Sequence, residues 1–161
     1  MKEEVIELDT VDKYNKFFKV ETYHPMVTVV DLSKITQPAQ PFTINYGIYA
    51  LFLKDTLCGD ITYGRQPYDY QEGTIVCFAP GQVASIHAQE GTRPTGYGLL
   101  FHPDLIHGTQ LGHDIRNYSF FSYEAREALH LSEEERHTVI DCLHKIDTEL
   151  RRPAGQAAAG G

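Results

Sequence analysis

A mainly β fold followed by C-terminal helices (α+β) is predicted by three observations. Between about Met26 and His102 the chain is a series of β-branched and aromatic runs. Those runs are punctuated by turn residues, Gly59-Asp60, Gly64, Gly73, Pro80-Gly81 and Gly91, with no helical period between them. From about Pro103 the pattern becomes helical and ends in a strongly capped segment. Consecutive strands without intervening helices indicate an antiparallel barrel or sandwich.

The chain has 161 residues, of which 42% are hydrophobic, enough for one domain with a core. Its net charge of −8 opposes a surface that neutralises many phosphates, and Arg151-Arg152 is the only adjacent basic pair. Cys58, Cys77 and Cys142 are odd in number and lack C-x-x-C spacing. That fits buried thiols in a reducing cytosol better than a disulfide framework or zinc site. The acidic start "MKEEVIELDT" is not a signal peptide, and no run reaches the roughly 20 apolar residues that span a bilayer. A cytoplasmic location is expected.

In chain order, residues 1–25 form an N-terminal arm. Within it "DTVDKYNKFF" suits a short helix capped by Asp9 or Thr10, with Val11, Tyr14 and Phe17 or Phe18 on one side. Residues 26–102 hold the strands: "MVTVVDLS", the long run "FTINYGIYALFLKDT", "CGDITYG", the hairpin "GTIVCFAPGQVASIH" and "TGYGLLFHPD". Several are apolar on both alternations, as expected of a barrel with helices outside and a ligand inside. Residues 103–152 are helical. "PDLIHG" reads as a single turn, "HDIRNYSFF" as another short helix and "SYEAREAL" as a helix capped by Ser122. In "LSEEERHTVIDCLHKIDTELRR", Ser132 and Glu135 make a capping box. Val139, Leu143, Ile146 and Leu150 then form a heptad-like seam. Residues 153–161, "PAGQAAAGG", read as a linker or tail begun by the helix-stopping Pro153.

For a ligand inside the barrel, aromatic platforms with a few polar groups are expected. Asn45, Tyr49, Tyr63, His87 and Tyr97 lie on predicted strands and are the candidate ligand-binding set. Nucleophilic catalysis has no support: there is no G-x-S-x-G elbow, no phosphate loop, and Cys77 sits in the apolar run "TIVCF" as core. No catalytic residue or cofactor is assigned. His102, before Pro103, is expected to be structural.

Two stretches also carry a family resemblance. "GTIVCFAPGQV" is similar to the barrel hairpin of cupins. "GYGLLFHPDLIHGTQLGHDIRNYSFFSYEAREALHLSEEE" and "YNKFFKVETYHPMVTVVDLS" resemble the sensory domain of AraC-family regulators, especially forms from Bacteroides-like bacteria. The resemblance implies a cupin-like antiparallel β-barrel (jelly roll) over 26–102 that binds a small-molecule effector, a carbohydrate by family habit. It implies a helical dimerisation segment over 103–152 forming a homodimer through Val139, Leu143, Ile146 and Leu150. DNA would be contacted only by a C-terminal helix-turn-helix domain that these residues do not include. Metal-bearing cupins resemble one another in an H-x-H pair. This chain has none, and Ala84 stands near the place of a further histidine. A receptor is therefore expected, and no enzyme. The alternative is a stand-alone cupin enzyme, a metal-dependent isomerase or dioxygenase.

Overall fold

A computed structural model describes residues 4–35, 42–54, 60–63, 66–67, 74–87, 95–117 and 129–152, with the backbone alone at residues 4, 54, 60–63, 66–67, 74, 86–87, 116 and 129–130. The strands are β1 (Glu4–Leu8), β2 (Val27–Asp31), β3 (Phe42–Tyr46), β4 (Tyr49–Lys54), β5 (Asp60–Tyr63), β6 (Gln66–Pro67), β7 (Thr74–Phe78), β8 (Val83–His87), β9 (Gly96–Phe101) and β10 (Leu129–His130). The helices are α1 (Val11–Phe18), α2 (Gln110–Asp114) and α3 (Glu133–Arg151). One five-stranded sheet runs β1-β3-β8-β5-β6, the other β10-β7-β4-β9-β2. The mainly β, α+β class is as the sequence predicts. Among the described residues no strand pairing joins the two sheets, so no barrel is closed.

Two expectations about strands change. The run 42–56 is not one strand: β3 and β4 belong to different sheets, separated by Gly47-Ile48. The Pro-Gly stretch is not a hairpin either, because β7 and β8 lie in opposite sheets. The two crossings run side by side and are tied together. The Tyr46 N–H donates to the Gln82 carbonyl at 2.9 Å, and the Gly81 N–H donates to the Tyr46 carbonyl at 2.7 Å. Gly81 takes φ +95°, which a glycine adopts without strain. The buried Gln82 side chain accepts from the Ala79 N–H at 2.7 Å, satisfying a donor inside the turn.

The N-terminal arm is also part of a sheet. β1 pairs with β3 in parallel, Val5 opposite Thr43, which departs from a purely antiparallel arrangement. Helix α1 follows with Thr10 as N-cap, its hydroxyl accepting from the Lys13 N–H at 3.1 Å. Val11, Tyr14 and Phe18 occur at i, i+3 and i+7 and are all buried in the shared core. Their rings fill space between the sheets. Phe18 lies 4.6 Å from Tyr14 and 6.2 Å from Phe42, and Tyr46 stacks on Phe78 at 4.8 Å.

The second sheet is covered on both faces, which explains strands apolar on both alternations. Val30, Ala50, Phe52, Val76, Phe78 and Leu100 face the main core. Tyr49, Cys77 and Phe101 face a second cluster with Ile106 and Ile115. Those two come from the segment that holds the 3₁₀ turns Pro103–Leu105 and Ile115–Asn117 around α2. Leu129–His130 pairs with β7 as a short strand, where the end of a helix was expected; residues 118–128, including Ser122, lie outside the described residues. Helix α3 has the expected capping box, with Ser132 and Glu135 each accepting from the other's backbone N–H. It packs on β2 and β9 with Leu143 buried.

Gly98 on β9 is a close approach between layers. A Cβ there would lie 2.9 Å from two Phe52 ring carbons and 2.9 Å from Val30 Cγ2. Both neighbours are held by the core, so neither can retreat freely. Gly98→Ala is expected to destabilise the fold by roughly 1–3 kcal/mol through overpacking. A urea melt monitored by circular dichroism reads this as a lower midpoint at unchanged slope; an unaltered midpoint contradicts it.

Candidate functional site

Among the described residues, a concavity with convergent polar groups lies at one end of the β2–β9 pair. β2 and β9 run antiparallel from Val27 opposite Phe101. Beyond that register the His102 N–H donates to the Met26 carbonyl at 2.8 Å. The strand ends are flanked by two matching tripeptides, His24-Pro25-Met26 and His102-Pro103-Asp104. In each, the N–H of the third residue donates to the histidine Nδ1, at 3.0 Å from Met26 and 3.0 Å from Asp104. Proline fixes the middle φ, so the dipeptide is preset for this turn.

The two turns, the start of α1 and the loop after it enclose a cleft of about 530 Å³ lined by Thr10, Asp12, Thr22, Tyr23, His24, Pro25, Met26, His102 and Asp104. Most of its polar groups are already engaged. Thr22 Oγ1 donates to Asp12 Oδ1 at 3.1 Å, and Asp12 Oδ2 pairs with Lys16 at 2.9 Å. Lys16 and then Thr22 hold the Asp12 carboxyl below the usual range. Asp9 beside the cleft is likewise held low, chiefly by Lys13 at 2.7 Å and in smaller part by the field of His102.

Behind Thr22 lies Asn15, fully buried on α1. Its Nδ2 donates to Thr22 Oγ1 at 3.0 Å and to Thr28 Oγ1 at 3.4 Å, while its Oδ1 has no partner among the described residues. The cleft wall is thus coupled to the core through one amide. Tyr23 joins the cleft to α3. Its hydroxyl donates to Glu21 at 3.0 Å and accepts from Arg151 at 3.1 Å, and the guanidinium sits 4.8 Å from its ring centre. Arg151 is in turn fixed by Asp147, at 3.0 and 3.1 Å.

Of the ligand residues expected from sequence, the three with described side chains, Asn45, Tyr49 and Tyr97, do not converge on one cavity. Asn45 sits on the side of β3 away from the main core and donates to both Glu7 carboxylate oxygens at 3.2 Å. Tyr49 stacks on Phe101 at 5.1 Å in the second cluster, outside the shared interior. Tyr97 meets the His144 ring edge-on at 5.1 Å under α3. Tyr97 and His144 line a smaller groove of about 290 Å³ with Asp31, Lys34, Asp147 and Arg151. Tyr63 pairs with Ala84 and His87 with Asp60 in the sheet register; their side chains lie outside the description. In the proposed seam Leu143 is buried within the single chain, whereas Val139, Ile146 and Leu150 stay half-buried. Burial pushes the Cys77 thiol up to about 12, consistent with a core role. Among the described residues no three His, Cys, Asp or Glu side chains are grouped to hold a metal ion, and no helix is long and apolar enough to cross a membrane. The residues missed were His24, Thr22 and Tyr23, and the signal was the repeated His-Pro dipeptide.

Comparison with known proteins adds no assignment: no family model matches the chain and no curated protein matches it.

The Asp12 network has a pH signature. A carboxyl held low in the folded chain contributes stability above its unfolded range and loses it as pH falls through the folded value. The melting temperature of the native chain should therefore exceed that of Asp12→Asn at neutral pH, and the two should converge on acidification. A constant gap between the curves contradicts the network.

Proposed function

We propose that this chain is the small-molecule-sensing and dimerisation domain of an AraC-type transcription regulator. It would be cytoplasmic, built on a cupin-like jelly roll, and control a C-terminal helix-turn-helix domain. The observation that carries this is the junction between Tyr23 and Arg151. A residue lining the cleft also grips the last turn of α3, the helix that leads towards the DNA-binding region in such regulators. The interior between the sheets is occupied by Tyr14, Phe18, Tyr46, Phe52 and Phe78 among the described residues, so the effector is assigned to the cleft at the rim. Binding there would bias the end of α3 through its different fit to the gripped and released states.

Dimerisation would use the face of α3 that carries Val139, Ile146 and Leu150, with Leu143 as the anchor to the chain's own sheet. Light scattering after size exclusion is expected to give a dimer. The double variant Ile146→Glu, Leu150→Glu should be a folded monomer. A native monomer, or a double variant that remains dimeric, rejects this role for α3. A reading frame past Arg152 without a helix-turn-helix pattern rejects the regulator itself.

Arg151→Ala removes one ring contact, one hydrogen bond to Tyr23 and two to Asp147, all at the surface. The cost should be only about 0.5–1 kcal/mol. Amide exchange should nevertheless quicken selectively in the last turn of α3. Exchange that is unchanged there separates Tyr23 from the helix.

A further inference from the structure

We infer that the cleft takes an uncharged small molecule with a carbonyl-type acceptor and a compact apolar body, held by the Nε2–H groups of His24 and His102; as an effector site it rests on the sensor proposal above.

The hydrogen bonds of the two turns set the donors. Each Nδ1 accepts a backbone N–H, so it carries no proton. The neutral ring then bears its proton on Nε2 and is a donor there. The same geometry at both strand ends gives two such donors on one cleft. Among the described residues none accepts from either Nε2–H. The neighbouring hydroxyls are committed: Thr22 donates to Asp12 and Tyr23 donates to Glu21, while Thr10 accepts from Lys13. The two Nε2–H donors are thus unspent beside the Asp104 carboxylate, which calls for an acceptor on the ligand and leaves room for a donor such as an amide N–H.

Charge narrows the class. Asp104 lines the cleft with the two imidazoles and has no lysine or arginine partner among the described residues, so an anion would meet its charge. Asp12 is paired with Lys16 and Asp9, beside the cleft, with Lys13, so only Asp104 could compensate a cation, against two imidazole N–H donors. An uncharged amide, ketone or lactone avoids both conflicts. Pro25, Met26 and the Tyr23 ring supply the apolar wall, and about 530 Å³ is the size of an ordinary small-molecule site.

The test separates turn from donor. Asparagine before proline can accept the same N–H two residues on, yet has no Nε2–H. His24→Asn and His102→Asn should therefore keep the fold and the melting temperature while removing the N–H at the Nε2 position, since the shorter amide places its own N–H groups elsewhere. The probes are phenylacetamide, phenylacetate and phenethylamine, three charge states of one skeleton, titrated while the histidine ring signals are followed by NMR. Phenylacetamide is expected to shift both rings, and each Asn variant to weaken its binding about fivefold, one hydrogen bond's worth. Equal or stronger response to the anion or the amine, no response to any probe, or full binding by the folded double variant overturns the inference. A native monomer that still binds the amide rejects the dimeric sensor and leaves the ligand class standing. A dimer that binds no amide does the reverse.

Discussion

The fold depends on the pair of backbone hydrogen bonds between Tyr46 and the Gly81-Gln82 turn. Each sheet receives one strand from each crossing: β3 and β8 in one, β4 and β7 in the other. If the crossings were not held side by side, neither antiparallel pair could keep its register, and a one-residue slip would turn apolar faces to water. The Tyr46 ring uses the same anchor from the inside, stacking on Phe78 and approaching Phe52 at 6.5 Å. Immediately after it, the Gly47 N–H donates to the Leu8 carbonyl at 2.9 Å, and a Cβ on Gly47 would lie 2.6 Å from the Asp9 Cβ. The corner therefore also fixes the exit of β1 and the start of α1, and with it Thr10 and Asp12 of the cleft.

That sequence of constraints places the cleft at the rim. Helix α1 is pressed into the space between the sheets by Val11, Tyr14 and Phe18. Burying three such side chains is worth several kcal/mol, so vacating the interior would offset much of the about 8 kcal/mol that a micromolar ligand returns. What α1 leaves outside is its polar N-terminal turn and the loop to β2. Asn15 marks the boundary. It is a buried amide whose Nδ2 is bonded outward to Thr22 and inward to Thr28.

Local chemistry was legible in the sequence where a residue acts within a few positions of itself. Thr10 caps α1, Ser132 and Glu135 form their box, and Val11, Tyr14 and Phe18 share a buried face. Cys77 sits in an apolar run and is buried. What local pattern does not carry is the sheet to which a strand belongs. Tyr46 and Tyr49 differ by an odd number of residues, so one strand could not point both inward. The crossing at Gly47-Ile48 then decides which does, and it is Tyr46 that enters the main core while Tyr49 joins the second cluster. Asn45 follows the same parity and faces away. The cleft was hidden for a different reason: His24 and His102 stand 78 positions apart and meet only because β2 and β9 pair.

The strength of the Tyr23–Arg151 contact suits a signal better than a brace. Tyr23 is 43% exposed, and its contacts with Arg151 are those of a surface cation–π pair and one hydrogen bond. Such a contact contributes about 1 kcal/mol, which favours the gripped state only about fivefold. A brace of that strength would be a poor one, since thermal motion already releases it part of the time. A small ligand need distinguish the two states by only a few kcal/mol to reverse the preference. Leu143 is buried against the sheet a little more than two turns earlier. In the proposed sensor, the anchor at Leu143 and the weak grip at Arg151 would together confine movement to the end of the helix.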